Sequence, residues 1–206
     1  MRIQILQWIL WAALSISAAF AQQPAAVQAE QRTPSANEVV AALKSGGYIV
    51  YFRHAATDFS KNDEKMRDFD DCANQRNLID SGRDQSRSIG AAWKRLKIPV
   101  GKVIASPFCR TRETAQLAFG RVEPAQEARG GPGTAGDAAR YKPLAERLAT
   151  RPSPGVNDVI VSHGNPFRAL HPELGYLAEG EAAIIKPLGK GNHEVWARIP
   201  WDQWPR

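Results

Sequence analysis

Apolar residues in this chain gather in short continuous runs separated by longer stretches of helical period. Gly47-Tyr48-Ile49-Val50-Tyr51-Phe52-Arg53-His54 is the longest run of the first kind, and Tyr48–Phe52 reads as a strand. Val103–Ala105 and Asp158–Val161 read as two more short buried strands. Ahead of the first, Ser35-Ala36-Asn37-Glu38 has capping-box spacing, Val39, Val40 and Leu43 follow on one face, and Gly46-Gly47 predicts the stop. Asp80-Ser81-Gly82-Arg83 opens a second predicted helix with Ile89, Trp93 and Leu96 aligned, ending before Pro99. Arg110–Phe119 is helical in composition and stopped by Gly120.

The remaining chain is punctuated more heavily. Phe59–Arg76 is charged and irregular, which predicts a long loop, and Glu123–Gly136 is rich in Gly, Pro and Ala around Gly130-Gly131-Pro132-Gly133. A helix carrying Tyr141, Leu144 and Leu148 is expected next, then a short one from Pro166. Glu181–Pro187 and Glu194–Ile199 read as two strands joined at Gly189-Lys190-Gly191-Asn192. Alternating helix and strand predicts an α/β fold with a largely parallel sheet. Trp201 and Trp204 could stack on a sugar or cover the sheet edge.

The amino-terminal segment changes the picture. Residues 5–20 are almost wholly apolar and end in Ala19-Phe20-Ala21, a small-x-small pattern that predicts a signal peptide over 1–21. An uncleaved membrane anchor is the alternative. Residues 22–34 read as a flexible leader and 35–206 as one domain, whose apolar content of 43% over the whole chain suffices for a core. This organisation predicts a periplasmic or secreted protein. In an oxidising compartment Cys72 and Cys109 could be bridged; two buried thiols are the other reading. The net charge of +6 is scattered, without a basic run or interleaved aromatics, so no nucleic-acid partner is expected and anionic small molecules remain attractive.

Candidate chemistry sits at the ends of the apolar runs. The first ends in Arg53-His54, and Val159-Ile160-Val161-Ser162-His163-Gly164 ends the later one. If both are parallel strands, both imidazoles emerge at carboxyl ends, where open α/β sheets form their ligand crevice. Between them lies Ser106-Pro107-Phe108-Cys109-Arg110-Thr111-Arg112-Glu113-Thr114-Ala115. A guanidinium beside an imidazole favours the neutral, nucleophilic ring and binds phosphate oxygens. These residues together suit phosphoryl transfer: His54 as acceptor, His163 stabilising the transferring group, Arg53 and Arg110 holding its oxygens. No metal or cofactor is required by this scheme. The Cys-x5-Arg spacing of cysteine phosphatases, G-x-S-x-G, G-x-x-x-x-G-K-[ST] and H-E-x-x-H are all absent.

The order of these motifs resembles the histidine phosphatase superfamily, which includes phosphoglycerate mutases and many phosphatases. The resemblance runs from about Asn37 to Ile199 and includes Asn77-Leu78-Ile79-Asp80-Ser81-Gly82-Arg83. It implies a phosphoglycerate mutase-like three-layer α/β/α sandwich, a phosphohistidine at His54, a pocket from Arg53, Arg110 and His163, and no obligatory metal or cofactor. Ala55 stands where many relatives have glycine. The superfamily's usual carboxyl proton donor has no recognisable motif here. Glu181 is the choice, with Glu179, Glu123, Glu127 and Asp137 as alternatives. The expected activity is phosphomonoester hydrolysis on a phosphorylated small molecule or envelope glycan; a noncatalytic phosphoryl-ligand module and a phosphomutase are the alternatives.

Overall fold

The computed structural model describes residues 32–206. The expectations for residues 1–21, and for almost all of the 22–34 leader, lie outside the described residues. Helix α1 (Ala36–Ser45) starts where the capping box places it: the Ser35 amide donates to the Glu38 carboxylate at 2.8 Å, and the Glu38 amide donates to Ser35 Oγ at 3.4 Å. At its end Gly46 has φ 75°, and a Cβ there would come within 2.5 Å of the Gly155–Val156 backbone, so the exit into the sheet admits only glycine.

Strand β1 (Ile49–Arg53) leads through a long loop to α2 (Asp80–Leu96), β2 (Val100–Ala105) and α3 (Cys109–Phe119). A two-residue strand β3 (Glu123–Pro124), α4 (Lys142–Leu148), β4 (Asn157–Ser162) and α5 (Gly164–Leu170) follow. The hairpin β5 (Ala182–Gly189) and β6 (Asn192–Ile199) ends the sheet. Beyond shifts of a residue or two at element ends, three elements differ from expectation. The helix expected to carry Tyr141 begins only at Lys142, and Tyr141 closes a 3-10 turn (Ala135–Tyr141) ahead of it. β2 begins three residues early because a bulge between Val100 and Val103 breaks the apolar pattern. β3 is exposed and so short that no apolar run announces it.

The six strands lie in the order β3-β2-β4-β1-β5-β6. β3, β2, β4 and β1 are mutually parallel, and β5 runs antiparallel to both its neighbours. The period of two along each strand builds the layers. Val50 and Phe52 of β1, Val159 and Val161 of β4, and Ala182 and Ile184 of β5 pack with α1, α2 and α3. Ile49 and Tyr51, Ile160, and Ala183 and Ile185 face the opposite way, onto α4 and α5. Because both faces are covered, the central strands read as unbroken apolar runs rather than as alternating ones. The result is an α/β/α sandwich. Trp204 is buried against Trp93, their ring centroids 5.5 Å apart, and so closes the first of these cores, while Trp201 is partly exposed. Among the described residues no helix is long and apolar enough to cross a membrane.

Candidate active site

Chain order around β1 creates the site. From β1 the chain crosses α2 to β2 and then β3, and β4 returns to fill the space between β1 and β2. This reversal opens a crevice at the carboxyl ends of β1 and β4. Their register pairs Arg53 with Ser162, so the next residue on each strand is a histidine. The His54 amide donates to the Ser162 carbonyl at 2.9 Å, and the two imidazole centroids are 5.4 Å apart.

The cleft above them has a volume of about 590 Å³. Arg53, Arg76, Arg110 and Lys61 contribute cations to its lining, and Asp63 is the one carboxylate among the described lining residues. Nε of Arg53, Arg76 and Arg110 is buried without an acceptor in the described protein. A cleft so lined favours a small polyanion.

His54 is almost wholly buried, and its Nδ1 lies 2.9 Å from the Ala55 carbonyl. A carbonyl only accepts, so Nδ1 carries the proton and the Nε2 lone pair is left for chemistry. Burial, reinforced by the Arg110 charge, holds this imidazole well below the usual histidine pKa. It is therefore neutral, as a nucleophile must be. Behind Nδ1, Glu179 Oε1 lies 3.8 Å away; the same oxygen is 3.7 Å from Arg53 Nη2 and accepts from the Thr57 hydroxyl at 2.6 Å. A positive charge developing on the ring meets a fixed negative one.

His163 is also buried, and burial, with His54 next in weight, pushes its pKa well down. Its Nε2 is 2.8 Å from Ser106 Oγ, and its own carbonyl accepts from the Tyr51 hydroxyl at 2.6 Å. Gly130 lies against the ring, where a Cβ would approach Cδ2 to 3.0 Å. The serine-to-threonine stretch that precedes α3 and enters it thus supplies more than an arginine. Ser106 holds His163, Phe108 presents its ring to that imidazole at 5.1 Å, and Thr114 Oγ1 accepts from the Ala55 amide at 3.1 Å. Ala55 is fully buried in that position.

The carboxylates do not lie where the sequence suggests. Glu181 does not line the cleft: it is buried in an ion pair with Arg198, each of its oxygens 2.8 Å from a guanidinium nitrogen, and it also accepts from the Ala178 amide at 2.7 Å. It lies just before β5, and Arg198 on β6 supplies a cation that claims both oxygens. Glu127 is paired with Arg147 at 2.8 Å, Asp137 caps the turn at Thr134, and Glu123 lies exposed on the edge strand. Glu179 sits on the Nδ1 side of His54 and outside the cleft lining.

Sequence reasoning passes over Asp63 and Arg76. Asp63 Oδ1 accepts from Arg110 Nη1 at 3.0 Å and from the Arg76 amide at 2.9 Å, and both bonds fall on that one oxygen. Both residues belong to the irregular loop after β1, where no periodicity marks a position; Arg76 adjoins the recognisable Asn77-Leu78 stretch and had that one signal. The loop is tied to α3 by the Cys72–Cys109 disulfide, whose Cα atoms are 5.7 Å apart. Among the described residues no group of three or more His, Cys, Asp or Glu side chains is placed to hold a metal ion.

This architecture has known counterparts. Residues 49–131 match the family model of the histidine phosphatase superfamily (branch 1), a segment that contains His54, Asp63, Arg76 and Arg110. No curated protein matches the sequence significantly. Among solved structures, the protein histidine phosphatase SixA complexed with tungstate is 20% identical, with TM-score 0.51, covering 77% of this chain and 99% of its own. Phosphoserine phosphatase from Entamoeba histolytica in complex with 3-phosphoglyceric acid is 12% identical, with TM-score 0.53, covering 77% and 99%. A mycobacterial glucosyl-3-phosphoglycerate phosphatase is 18% identical, with TM-score 0.51, covering 68% and 90%. These structures share the fold of the described domain.

Proposed function

We propose that this protein is a histidine phosphatase that hydrolyses phosphomonoesters through a phosphohistidine on His54. The observation that carries this reading is the His54 tautomer: Nδ1 is committed to the Ala55 carbonyl, which leaves Nε2 as a neutral nucleophile in an arginine-lined cleft. Arg53, Arg76 and Arg110 bind the phosphoryl oxygens, and His163 stabilises them from the adjacent strand. Nε2 forms a bond to phosphorus while the bond from phosphorus to the leaving oxygen breaks. That oxygen takes a proton from Asp63, and the cationic ring is balanced by Glu179. In the second half Asp63 takes a proton from water, the water oxygen attacks phosphorus, the N–P bond breaks and phosphate departs.

Asp63 replaces Glu181 as the proton donor in this scheme because it lines the cleft and leaves one carboxylate oxygen outside its bonds to Arg110 and Arg76. The protein groups in the scheme complete both steps, so the mechanism invokes no metal. Substrates are phosphorylated small molecules or envelope glycans, and the phosphorylated ligands named for the structural neighbours suit a cleft of this charge. An exported location accords with the predicted signal over residues 1–21 and with a disulfide in the domain.

Rapid-quench mass spectrometry under non-acidic conditions, during turnover of an aryl phosphate, tests the proposal. Phosphate on His54 of the native protein, absent from His54→Ala, is expected. Turnover without a phosphohistidine at any quench time overturns the covalent route, and saturable phosphate binding without turnover identifies a noncatalytic module.

A further inference from the structure

Cys109 is the first residue of α3, directly before Arg110, and its disulfide partner Cys72 lies near the end of the loop that supplies Asp63 and Arg76 to the cleft. Between the bridge-paired Thr57 and Leu78 this loop contains one short 3-10 turn, Cys72–Asn74, and no other helix or strand. Little regular hydrogen bonding therefore fixes it. Its noncovalent ties to α3 and the α3 N-cap are Arg110 to Asp63 and to the Arg76 carbonyl, the Cys109 amide to Gln75 at 2.9 Å, Arg112 to Asp70 and to the Phe69 carbonyl, each at 2.9 Å, and the Phe69 ring against Phe108 with centroids 5.1 Å apart. A bound phosphate recruits the Arg110 fork and weakens the tie to Asp63 at the moment when Asp63 is needed. The covalent bridge does not compete with substrate.

The bridge is also within reach of a reagent. Cys72 is exposed, and Cys72, Asn77, Arg83, Cys109, Arg112 and Glu113 line a groove of about 350 Å³ over the sulfurs. Arg112 Nη2 is 3.5 Å from Cys109 Sγ and 4.0 Å from Cys72 Sγ. A guanidinium there stabilises whichever thiolate departs when the bond is attacked.

We propose that the Cys72–Cys109 disulfide is a redox-controlled positioning element for the proton-donor side of the cleft: closed, it holds Asp63 and Arg76 in place beside His54, and opened, it releases them. The opening step is exchange with a dithiol reductant. One thiolate of the reductant attacks a sulfur of the bridge, and its second thiolate resolves the mixed disulfide. Cys72 and Cys109 gain two electrons and two protons, and the reductant becomes its own disulfide. The inference rests on the phosphatase reading above and adds a control to it.

A bridge that merely stabilises the fold and a bridge that positions Asp63 differ in leaving-group dependence. An aryl leaving group departs with little help from an acid, whereas an alkyl oxygen needs the proton. Oxidised protein, dithiothreitol-reduced protein and the Cys72→Ala/Cys109→Ala variant are compared at a temperature where circular dichroism shows each to be folded. Expected on opening is a fall of about tenfold or more in kcat/KM for an alkyl phosphate, a much smaller fall for an aryl phosphate that matches a loss of orthovanadate affinity as Arg76 leaves the phosphoryl oxygens, and recovery of the reduced protein on reoxidation. Parallel loss on both substrates, or no change on either, overturns the proposal. If the variant fails to fold, reduction and reoxidation of the native chain decide alone. Oxidised protein that turns over no aryl phosphate overturns the phosphatase reading itself, an outcome distinct from turnover that ignores the state of the bridge.

Discussion

His54 and His163 each stand one residue beyond the last register pair of two adjacent parallel strands, and their rings meet edge to face with centroids 5.4 Å apart. The separation along the chain exceeds a hundred residues, yet the sheet brings the rings together because Arg53 pairs with Ser162. A slip of one residue in that register would turn every side chain of one strand to the opposite face. The apolar cores on both faces thus lock the geometry of the site.

Replacing His54 with alanine should lower turnover of an aryl phosphate by more than about 10³-fold, the scale seen when a nucleophile is removed from a preorganised site. The ring is bonded to its own neighbour's carbonyl and not to a core partner, so the melting temperature should change little. Steady-state kinetics and thermal melts on the same preparation check both halves.

Asp63→Asn should spare aryl phosphates and reduce kcat/KM for alkyl phosphates by about 10²-fold, the lower end of general-acid effects. The substitution keeps an oxygen for Arg110 and the Arg76 amide, which separates proton donation from loop anchoring. A series of phosphate esters graded by leaving-group basicity reads the difference as a steeper slope in the variant.

Glu181→Gln should do the reverse. This carboxylate is buried and shares both oxygens with Arg198, so its loss leaves a partly exposed guanidinium without its charge partner. We expect a destabilisation of about 1–3 kcal/mol in urea melts and kcat within about threefold of native, inside the spread of a change remote from the reacting atoms.

Histidine burial sets the acid side of both activity and stability. Because burial and Arg110 depress the His54 pKa well below its ordinary value, the imidazole stays neutral as pH falls through 6.5, and under the proposed mechanism its contribution to kcat/KM should persist there. Buried His171 and half-buried His193 form a second pair, Nε2 to Nε2 at 3.2 Å, with Glu173 placing a carboxylate 4.0 Å from His171 Nδ1. Burial, with His193 next, pushes His171 down to about 4 from 6.5. Its native pKa lies below the unfolded one, so between those values the unfolded chain binds more protons. The associated stability is present above pH 6.5 and is lost as pH falls towards 4. His54 and His163 act with the same sign. Urea melts at several pH values should show this loss, and His171→Gln should make its slope shallower, by on the order of 1–3 kcal/mol over the window.

Local signals carried most of the fold. The capping box at Ser35, the stops at Gly46 and Gly120, and the apolar runs of β1 and β4 specify their elements because caps, turns and buried strands depend on neighbouring residues. The same runs located His54, Arg53, Arg110 and His163, since a residue that ends a buried parallel strand or opens the following helix lies at a carboxyl edge of the sheet. The part of the cleft lined by Asp63 and Arg76 was not legible in this way. Asp63 and Arg76 sit in a loop without periodicity, and only its attachment to α3 through Arg110, Gln75 and the Cys72–Cys109 bridge brings them to the cleft. Nothing in the local sequence around Glu181 or Asp63 sets one apart from the other as a candidate, and what divides them is the neighbour each meets in space. Arg198 on β6 claims both oxygens of one, while Arg110 on α3 claims one oxygen of the other. The sequence by itself determined the long strands, the caps and the places of Arg53, His54, Arg110 and His163 at the carboxyl edge of the sheet, because those follow from short-range pattern. Tertiary structure alone decided which carboxylate lines the cleft, because the environment of a charge is fixed by residues far away in the chain.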